Sequence, residues 1–325
     1  MKSLTLACLM LFFAAGSASA QSPKNAFHFV EKKGEYLDLK FGERNVLRFV
    51  NKPRDGTDEE SHFMSFKPFH QVFDPKTGTT LLSSGAHPKT KEFKFPHHRG
   101  LFFGFNKITY GDNQTVDIWH GTKNVHSTCD KILSTQASAQ SAAHTAAISW
   151  HGMDGNTFAE EERTVTVFNI QGGTQLDWST KLTTKLDKVR LDGDPQHAGF
   201  HFRAAQEVAQ STAKQTYYLR PDGKGQDGET RNWDAKGKDP RTVNLPWNAM
   251  SFVVEGKRYT VLRINHPSNP KETRGSERDY GRFGDYFEFD LTPSTPLKLR
   301  YRIWVQDGEM TQEACEKMTA IFLAN

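Results

Sequence analysis

The residues best suited to chemistry lie in one short stretch, where two histidines and an arginine stand between a proline and a glycine. His97, His98 and Arg99 follow Pro96, and Gly100 precedes a dense aromatic run. Imidazoles titrate near neutral pH and can move protons, and a guanidinium can hold a carboxylate or an oxyanion. The proline and the glycine predict an extended bend, so neighbouring side chains should diverge and only one histidine should face a pocket. We expect His98, with Arg99 beside it, to face that pocket.

Further polar and aromatic residues occur where strands are predicted to end. The catalytic candidates are His98, His120, His266, Arg278, Asp279 and Tyr280, and the substrate-binding candidates are His97, Arg99, Trp119, Glu162, His201 and Arg203. A sandwich of sheets can bring such distant residues to one concave face. The alternative for each residue alone is structural: a histidine bonded to backbone, an arginine paired with a carboxylate, or an aromatic ring in the core.

A different chemistry would use two carboxylates. Glycoside hydrolysis needs two acids that flank the sugar at a defined separation. Glu162 and Asp279 are the candidates for this pair, and the sequence does not fix the distance between them. The alternative is that the acidic run at residues 160–162 is a solvated strand edge with an ion pair to Arg163.

Metal binding is a third interpretation of the histidines. His97, His98, His120 and His266 could supply imidazoles, yet the sequence has no HExxH or other short ligand spacing. The sequence therefore predicts no cofactor and no metal site, with a divalent metal kept as the alternative. The two cysteines outside the N-terminal segment, Cys129 and Cys315, do not resemble a zinc site and would form a disulfide only if the fold brought them together.

Alternation of polar and apolar residues predicts that strands position these groups. Residues 157–168 alternate over a long run and return through residues 176–182, which predicts a long hairpin. Hairpins are also predicted at residues 70–82 and 248–265, a strand pair at 127–150 and a short strand at 116–121. Only the tail is predicted to be helical, with Thr311 as its cap. These patterns predict an all-β fold, a large antiparallel β-sandwich (supersandwich-like) with a short C-terminal helix.

The N-terminus has the pattern of an export signal. Lys2 precedes an apolar run, and small residues at 18–20 fit a cleavage site near Ala20. We predict a signal peptide at residues 1–20, a single β-sandwich domain at residues 21–325, and a periplasmic or extracellular location. A formal charge of +4 with no basic block disfavours a nucleic-acid partner. Because no apolar run is long enough to span a bilayer, stable membrane insertion is not expected.

Four segments resemble the DUF6807 family, also labelled methane oxygenase PmoA-like. They are residues 96–103, 162–164, 199–203, and 266–270 together with 278–281. Their order and spacing agree with the family over most of the chain, and residues 274–277 depart from it where an aromatic residue is expected. The resemblance implies an exported β-sandwich protein linked to carbohydrate use. Methane oxidation is not expected, because a membrane oxygenase subunit needs several membrane-spanning helices.

Two hypotheses about function follow. The leading one is an exported carbohydrate-active enzyme whose His/Arg-rich pocket does acid–base chemistry on a sugar or a sugar acid, as a lyase, an epimerase-like enzyme or a hydrolase. The competing one is a non-catalytic glycan-binding or scaffold protein of the cell envelope. The first predicts turnover that depends on the histidines. The second predicts saturable binding through aromatic residues without turnover.

Overall fold

A computed structural model describes residues 25–233 and 238–324 of the chain. The signal peptide predicted at residues 1–20 lies outside the described residues. In chain order the strands are β1 (Phe27–Lys32), β2 (Tyr36–Phe41), β3 (Arg44–Val50), β4 (Phe69–Val72), β5 (Leu101–Phe105), β6 (Lys107–Tyr110), β7 (Gln114–Val116), β8 (His126–Ala137), β9 (Ser141–His151), β10 (Thr157–Ile170), β11 (Gly173–Thr183), β12 (Val189–Asp192), β13 (Ala198–Arg203), β14 (Tyr217–Arg220), β15 (Gly223–Lys224), β16 (Arg231–Asn232), β17 (Trp247–Val254), β18 (Lys257–Asn265), β19 (Arg274–Arg278), β20 (Arg282–Tyr286), β21 (Phe289–Leu291) and β22 (Leu297–Asp307). The α-helices are α1 (Glu59–Ser65) and α2 (Gln312–Leu323), and short helical turns lie at Val208–Thr212, Ala213–Gln215 and Pro240–Thr242.

Most strands belong to two large antiparallel sheets. Within the described residues, the first sheet has nine strands in the order β1-β2-β3-β4-β5-β13-β20-β19-β16. The second has nine in the order β15-β14-β17-β18-β22-β11-β10-β9-β8, and a small sheet runs β21-β12-β6-β7. Neighbouring strands pair antiparallel. The predicted all-β sandwich with a short C-terminal helix is confirmed.

The long hairpin predicted over residues 157–182 is present. Strand β10 pairs with β11 from Glu160 opposite Thr183 to Ile170 opposite Gly173. Its β-branched residues are stiff at χ1 and fit a pleated surface, and their alternation buries one face of the strand more than the other. The predicted hairpin β17–β18 and the strand pair β8–β9 are also present.

Aromatic side chains fill the space between the two large sheets. The ring of Phe103 on β5 lies 5.5 Å from that of Trp150 on β9 and 5.7 Å from that of Trp178 on β11. Phe200 on β13 stacks on Tyr301 of β22 at 4.5 Å between centroids. All five rings are buried. Burial of apolar surface, at roughly 25 cal/mol per Å², supplies the free energy that holds the sheets together.

Intervening residues on the same strands point to the other face of the first sheet. Phe102 of β5 lies opposite His201 of β13 in the ladder. Because side chains alternate along a strand, both project away from the core that Phe103 enters. Trp119 covers Phe102 there, with ring centroids 4.6 Å apart. The loops at residues 95–99, 117–121 and 194–197 lie over this outer face and carry the candidate site.

The prediction of a short strand at residues 116–121 is wrong. Strand β7 ends at Val116, and Asp117 begins a turn. Its carboxylate accepts a hydrogen bond from His120 N at 2.8 Å, and its carbonyl accepts one from Gly121 N at 3.2 Å. Gly121 has a φ of 63°, which glycine adopts without strain. The side-chain hydrogen bond of the aspartate therefore outweighs the alternation that favoured a strand.

Both helices begin at capping residues. In the predicted C-terminal helix α2, Thr311 Oγ1 accepts a hydrogen bond from Ala314 N at 3.1 Å. Helix α1, which the alternation did not predict, is capped by Asp58 through Ser61 N at 2.8 Å. The cysteines considered for a disulfide are both free. Within residues 25–233 and 238–324, no helix has the length and apolar character needed to cross a membrane.

Candidate functional site

The two adjacent histidines lie on a tight turn and face the same way. His98 N donates a hydrogen bond to Phe95 O at 3.0 Å, which closes a four-residue turn with Pro96 in its second position. The rings of His97 and His98 are 4.1 Å apart between centroids. The prediction that their side chains diverge along an extended bend is therefore wrong. It assumed extended backbone, in which successive side chains alternate, and a tight turn does not impose that alternation.

A glycine makes this turn possible. Gly100 has a φ of 51°, and a Cβ at this position would lie 2.0 Å from the carbonyl oxygen of His70. Any other residue would clash with the backbone of strand β4, so the glycine sets how closely the histidine-bearing loop approaches the sheet.

Two further histidines complete the group, and each is held by an aspartate three residues earlier. Asp117 Oδ2 lies 2.8 Å from His120 Nδ1, and Asp194 Oδ1 lies 3.0 Å from His197 Nδ1. The ring of His120 is 4.5 Å from that of His97 and 4.9 Å from that of His197. We call His97, His98, His120 and His197 the histidine cluster.

Several ring nitrogens of the cluster have no hydrogen-bond partner. Among the described residues, these buried unpartnered atoms include both ring nitrogens of His98 and Nε2 of His97. His98 is only 1% exposed. Burial lowers the pKa of both imidazoles far below the usual value for histidine, so they are neutral at physiological pH. Unpaired buried polar atoms are uncommon in folded proteins and need a physical explanation.

The carboxylate beside His197 stays ionised. Burial acts to raise the pKa of Asp194, but the hydrogen bond and charge of His197, with further hydrogen bonds, lower it to about 2. Asn106 Nδ2 also donates to this carboxylate at 2.7 Å. Asp194 is therefore a fixed negative charge that orients the His197 ring.

Aromatic rings surround the cluster. The ring of Trp119 lies 5.7 Å from that of His98, and the ring of Tyr280 lies parallel to that of His98 at 6.2 Å. Phe95 stacks on Tyr280 at 4.1 Å, is 39% exposed, and has a φ of 55°, which is unusual for a residue with a Cβ. Trp119 is buried, so it packs behind the histidines and offers no open face to a ligand.

Two of the predicted substrate-binding residues, His201 and Arg203, form part of the buried support of the site. His201 donates from Nε2 to Ala198 O at 2.8 Å and accepts at Nδ1 from Arg282 at 3.1 Å. Arg203 donates to Gln206 Oε1 at 3.0 Å and to the carbonyl of Tyr280. Both side chains are fully buried and bonded to protein atoms, so they hold the loops in place and do not reach a cleft.

Arg99 is also part of the support. It donates to the carbonyl of Phe63, and its guanidinium lies 4.5 Å from the ring centroid of Phe66. Burial lowers its pKa to about 9. The prediction that Arg99 faces the site is therefore corrected: it is enclosed by aromatic rings rather than open to a ligand.

A surface cleft opens onto the cluster. It has a volume of about 480 Å³, and its lining includes Phe63, Lys89, Pro96, His97, Asp117 and His120. His97 and His120 are therefore the cluster members that a ligand in this cleft would meet first, while His98 lies behind them. One histidine of the adjacent pair lines the cleft, as predicted, but it is His97 and not the expected His98. This volume is in the range of small-molecule sites, which run from about 300 to 1,000 Å³.

A family model described as a family of unknown function, DUF6807, matches residues 36–320. The chain belongs to the DUF6807 family. The match spans all four segments on which the resemblance was based, and its description does not include the methane oxygenase label. A search of curated proteins found no match.

Solved structures with partial likeness to this DUF6807 chain include sugar enzymes. The galactosidase domain of an α-galactosidase–sucrose kinase has a TM-score of 0.47 and 7% identity, over 86% of this chain and 42% of its own. An α-N-acetylgalactosaminidase from Bifidobacterium bifidum (a quadruple mutant) has a TM-score of 0.36 and 12% identity, over 69% of this chain and 34% of its own. A galactose mutarotase related enzyme from Lactobacillus acidophilus has a TM-score of 0.38 and 8% identity, over 88% of this chain and 98% of its own. This chain thus spans less than half of the first two, and at these values none of the likenesses carries an argument about function.

Other predicted residues lie away from the cluster. His266 is half-buried, with Nε2 3.1 Å from Arg300 Nη1, beside a small cavity of about 80 Å³. Asp279 Oδ2 accepts from Lys214 Nζ at 3.3 Å, and Arg278, at the end of β19, donates its backbone N–H to the hydroxyl of Tyr218. Of the four histidines considered for a metal, the structure brings together three and leaves His266 outside.

The predicted carboxylate pair is not assembled. Glu162 is an exposed residue on β10 in the second sheet, and Asp279 lies between β19 and β20 of the first. The buried acid of the run is Glu161, which accepts from Arg163 Nε at 2.8 Å and from Trp150 Nε1 at 3.0 Å. The ion pair to Arg163 is therefore observed, but through buried Glu161 and not at the solvated strand edge that the alternative expected.

Three residues of the site, His197, Asp194 and Asp117, were not among those predicted from the sequence. One signal was available: the spacing Asp-x-x-His occurs at residues 117–120 and again at 194–197. In both places the carboxylate bonds the ring Nδ1 three residues later. A repeated spacing of this kind predicts two oriented imidazoles with Nε2 as the remaining nitrogen.

Proposed function

We propose that this protein is an enzyme that does acid–base chemistry on a sugar or a sugar acid in the cleft beside the histidine cluster. The observation that carries the proposal is the Asp117–His120 pair, with its 2.8 Å contact, in the lining of that cleft. The export predicted from residues 1–20 is part of the proposal.

An aspartate–histidine pair is suited to moving protons. The carboxylate of Asp117 holds Nδ1 of His120, which fixes the tautomer and stabilises the imidazolium that forms when Nε2 takes a proton. The backbone hydrogen bond from His120 N to Asp117 Oδ1 adds a second constraint on the pair. His120 would therefore act as the general base and acid at Nε2, and Asp117 would orient it.

The lining of the cleft favours a ligand with hydroxyl groups and a negative charge. Lys89 Nζ lies 4.5 Å from the ring centroid of Phe63, so a cation stands beside an aromatic surface. A sugar acid would place its carboxylate near Lys89 and its hydroxyl groups near His97 and His120. A neutral sugar would use the same polar groups and leave Lys89 paired with Glu59, whose carboxylate lies at 3.3 Å.

The test is a screen of sugars and sugar acids with the wild type, followed by variants on each substrate found. Proton NMR in D₂O detects solvent deuterium entering at carbon, epimerisation, elimination and hydrolysis in one assay. We expect His120→Asn to reduce kcat at least about 100-fold, because general acid–base groups contribute roughly 10²–10⁴-fold. His28→Asn on strand β1 is the matched control and should keep wild-type activity. Full activity in His120→Asn would show that the proposal is wrong.

A non-catalytic glycan-binding protein is the second candidate, and one observation favours it. Phe95 exposes its ring beside the cleft while stacking on Tyr280, and an exposed aromatic face is a common platform for sugar rings. This function predicts saturable binding without product. Phe95→Ala should then weaken glycan binding at least about tenfold while His120→Asn leaves it unchanged, the opposite of the pattern expected for the enzyme.

A further inference from the structure

We propose that His97, His98 and His197 bind a divalent transition-metal cation through their ring nitrogens. One nitrogen of each ring lies within 4.8 Å of the chosen nitrogens of the other two. The three side chains come from two loops far apart in sequence, one before β5 and one before β13. This reverses the expectation of no metal, which was based on the lack of a short ligand spacing.

Only small movements would be needed to close such a site. Imidazole nitrogens lie about 2.0–2.1 Å from Zn²⁺, so two ligands of a tetrahedral site are about 3.3 Å apart. Nitrogens that lie within 4.8 Å of one another therefore have to approach by at most about 1.5 Å. Side-chain rotations on the loops before β5 and β13 can supply that distance without moving the strands.

The unpartnered nitrogens are the second, independent observation. His98 is buried, and neither of its ring nitrogens has a hydrogen-bond partner; Nε2 of His97 is in the same state. Leaving such a buried polar group unpaired destabilises the folded protein. A metal ion would take the lone pair of one nitrogen on each ring, while the other nitrogen of His98 keeps its proton.

The carboxylates complete the pattern of a metal centre. Histidine ligands commonly hold their second ring nitrogen against a carboxylate, which fixes the tautomer and raises the basicity of the nitrogen on the metal. Asp194 does this for His197, with both oxygens 3.0–3.1 Å from Nδ1. Its negative charge also offsets part of the charge of a bound cation.

The donor set indicates the class of metal. Three imidazoles suit zinc, cobalt, nickel, copper or iron, whereas magnesium and calcium prefer oxygen ligands. Three protein ligands leave a coordination position for water or substrate, as in catalytic zinc sites. The cluster is open towards His120 and the cleft, so a hydroxyl group held there would lie beside the Asp117–His120 pair. A catalytic role for the metal ion rests on the proposed function, whereas the proposal that the three histidines bind the ion does not.

Metal binding can be measured without knowing the substrate. The protein, produced without a polyhistidine tag and stripped with EDTA, is titrated with Zn²⁺ by calorimetry and with Co²⁺ by visible absorption. We expect one ion per chain and cobalt d–d bands of a nitrogen-ligated site. His98→Gln and His197→Gln should each weaken Zn²⁺ binding at least about 100-fold, and Asp194→Asn by about 10–100-fold.

Matched controls keep this test decisive. His28→Asn removes an imidazole on strand β1 and should leave the affinity unchanged. Circular dichroism verifies folding of each variant; if buried His98→Gln fails to fold, His197→Gln on its partly exposed loop decides the question. Absence of Zn²⁺ and Co²⁺ binding by the wild type, or wild-type affinity in folded His197→Gln, would overturn the proposal.

The result is separable from that for the proposed function. His120→Asn should reduce kcat at least about 100-fold yet keep Zn²⁺ affinity within about tenfold, because His120 is outside the set of three ligands. Zinc binding together with full turnover in His120→Asn would retain the metal site and reject the acid–base role. If turnover needs His120 but the protein binds no metal, the acid–base role is retained and the metal site is rejected.

Discussion

Buried histidines occur both in the cluster beside the cleft and in a pair between the large sheets. In the pair, His70 of β4 and His144 of β9 lie with their Nε2 atoms 3.0 Å apart, so one ring donates to the other. Phe49 stacks on both, at 4.6 and 5.2 Å between centroids. In the cluster, the rings are similarly close, but no ring bonds another and two are held by aspartates instead.

The difference shows that burial alone does not distinguish a structural histidine from a functional one. Burial lowers the pKa of His98 and of His70, so both are neutral. The core pair leaves one described nitrogen without a partner, Nδ1 of His70, whereas the cluster leaves three. In the core pair the two rings hydrogen-bond each other, so they link the two sheets and add stability. In the cluster the unpartnered nitrogens of His97 and His98 reduce stability. Such an arrangement is expected where a bound ligand supplies the missing partner.

The largest effect that this comparison predicts is loss of stability in the core pair. Replacing His144 by alanine leaves a cavity between the sheets and an unpaired nitrogen on His70. We expect the free energy of unfolding to fall by about 2–4 kcal/mol, measured by urea denaturation. Zn²⁺ binding by the folded variant should be unchanged. A loss below about 1 kcal/mol would contradict the structural role of the pair.

The sequence predicts the fold well because burial leaves a local trace in strands. The alternation over residues 157–182 identifies β10 and β11, since every second side chain enters the core. The turn at Asp117 was missed for the opposite reason. There Val116 and Ile118 alternate as a strand would, and a single side-chain hydrogen bond from Asp117 decides the conformation.

The site was predicted only in part, because its assembly depends on strand order. His97, His98 and His120 were singled out by residue type, and the structure places them together. His197 was missed because nothing local shows that the loop before β13 meets the loop before β5. The pairing of these strands, with Phe202 opposite Leu101, is a long-range contact. His266 and Glu162 have suitable chemistry but belong to other parts of the sandwich.

A more gradual effect, comparable in size only near pH 4, is expected when the core pair is titrated. Burial lowers the pKa of His144 to about 4, whereas an unfolded chain protonates histidine near 6.5. The stability is fully present above about pH 6.5 and is lost as the pH falls towards 4, because the unfolded state takes up the proton first. The loss is up to about 1.4 kcal/mol per pH unit for this group and levels off below its folded pKa.

Urea denaturation between pH 7 and 4.5 tests whether the free energy of unfolding falls as the pH falls. The charged group that acts on His144 is Arg163, and Arg163 is held by Glu161. A double variant, His70→Leu with His144→Leu, removes the titrating rings and should flatten the curve relative to the wild type. A wild-type stability that rises as the pH falls through this window would contradict the assignment.

The smallest effect is expected where the cluster is altered in the metal-free protein, and its sign is the informative part. Leucine at position 98 fills a similar volume and removes two buried nitrogens that have no partner. Because unpaired buried polar atoms are costly, His98→Leu should unfold within about 1 kcal/mol of the wild type or be more stable in EDTA. With saturating Zn²⁺ the order should reverse, since a ligand that binds only the folded wild type stabilises it by mass action. A large loss of stability in EDTA would mean that His98 is a structural histidine like His144, and the distinction between the two regions would fail.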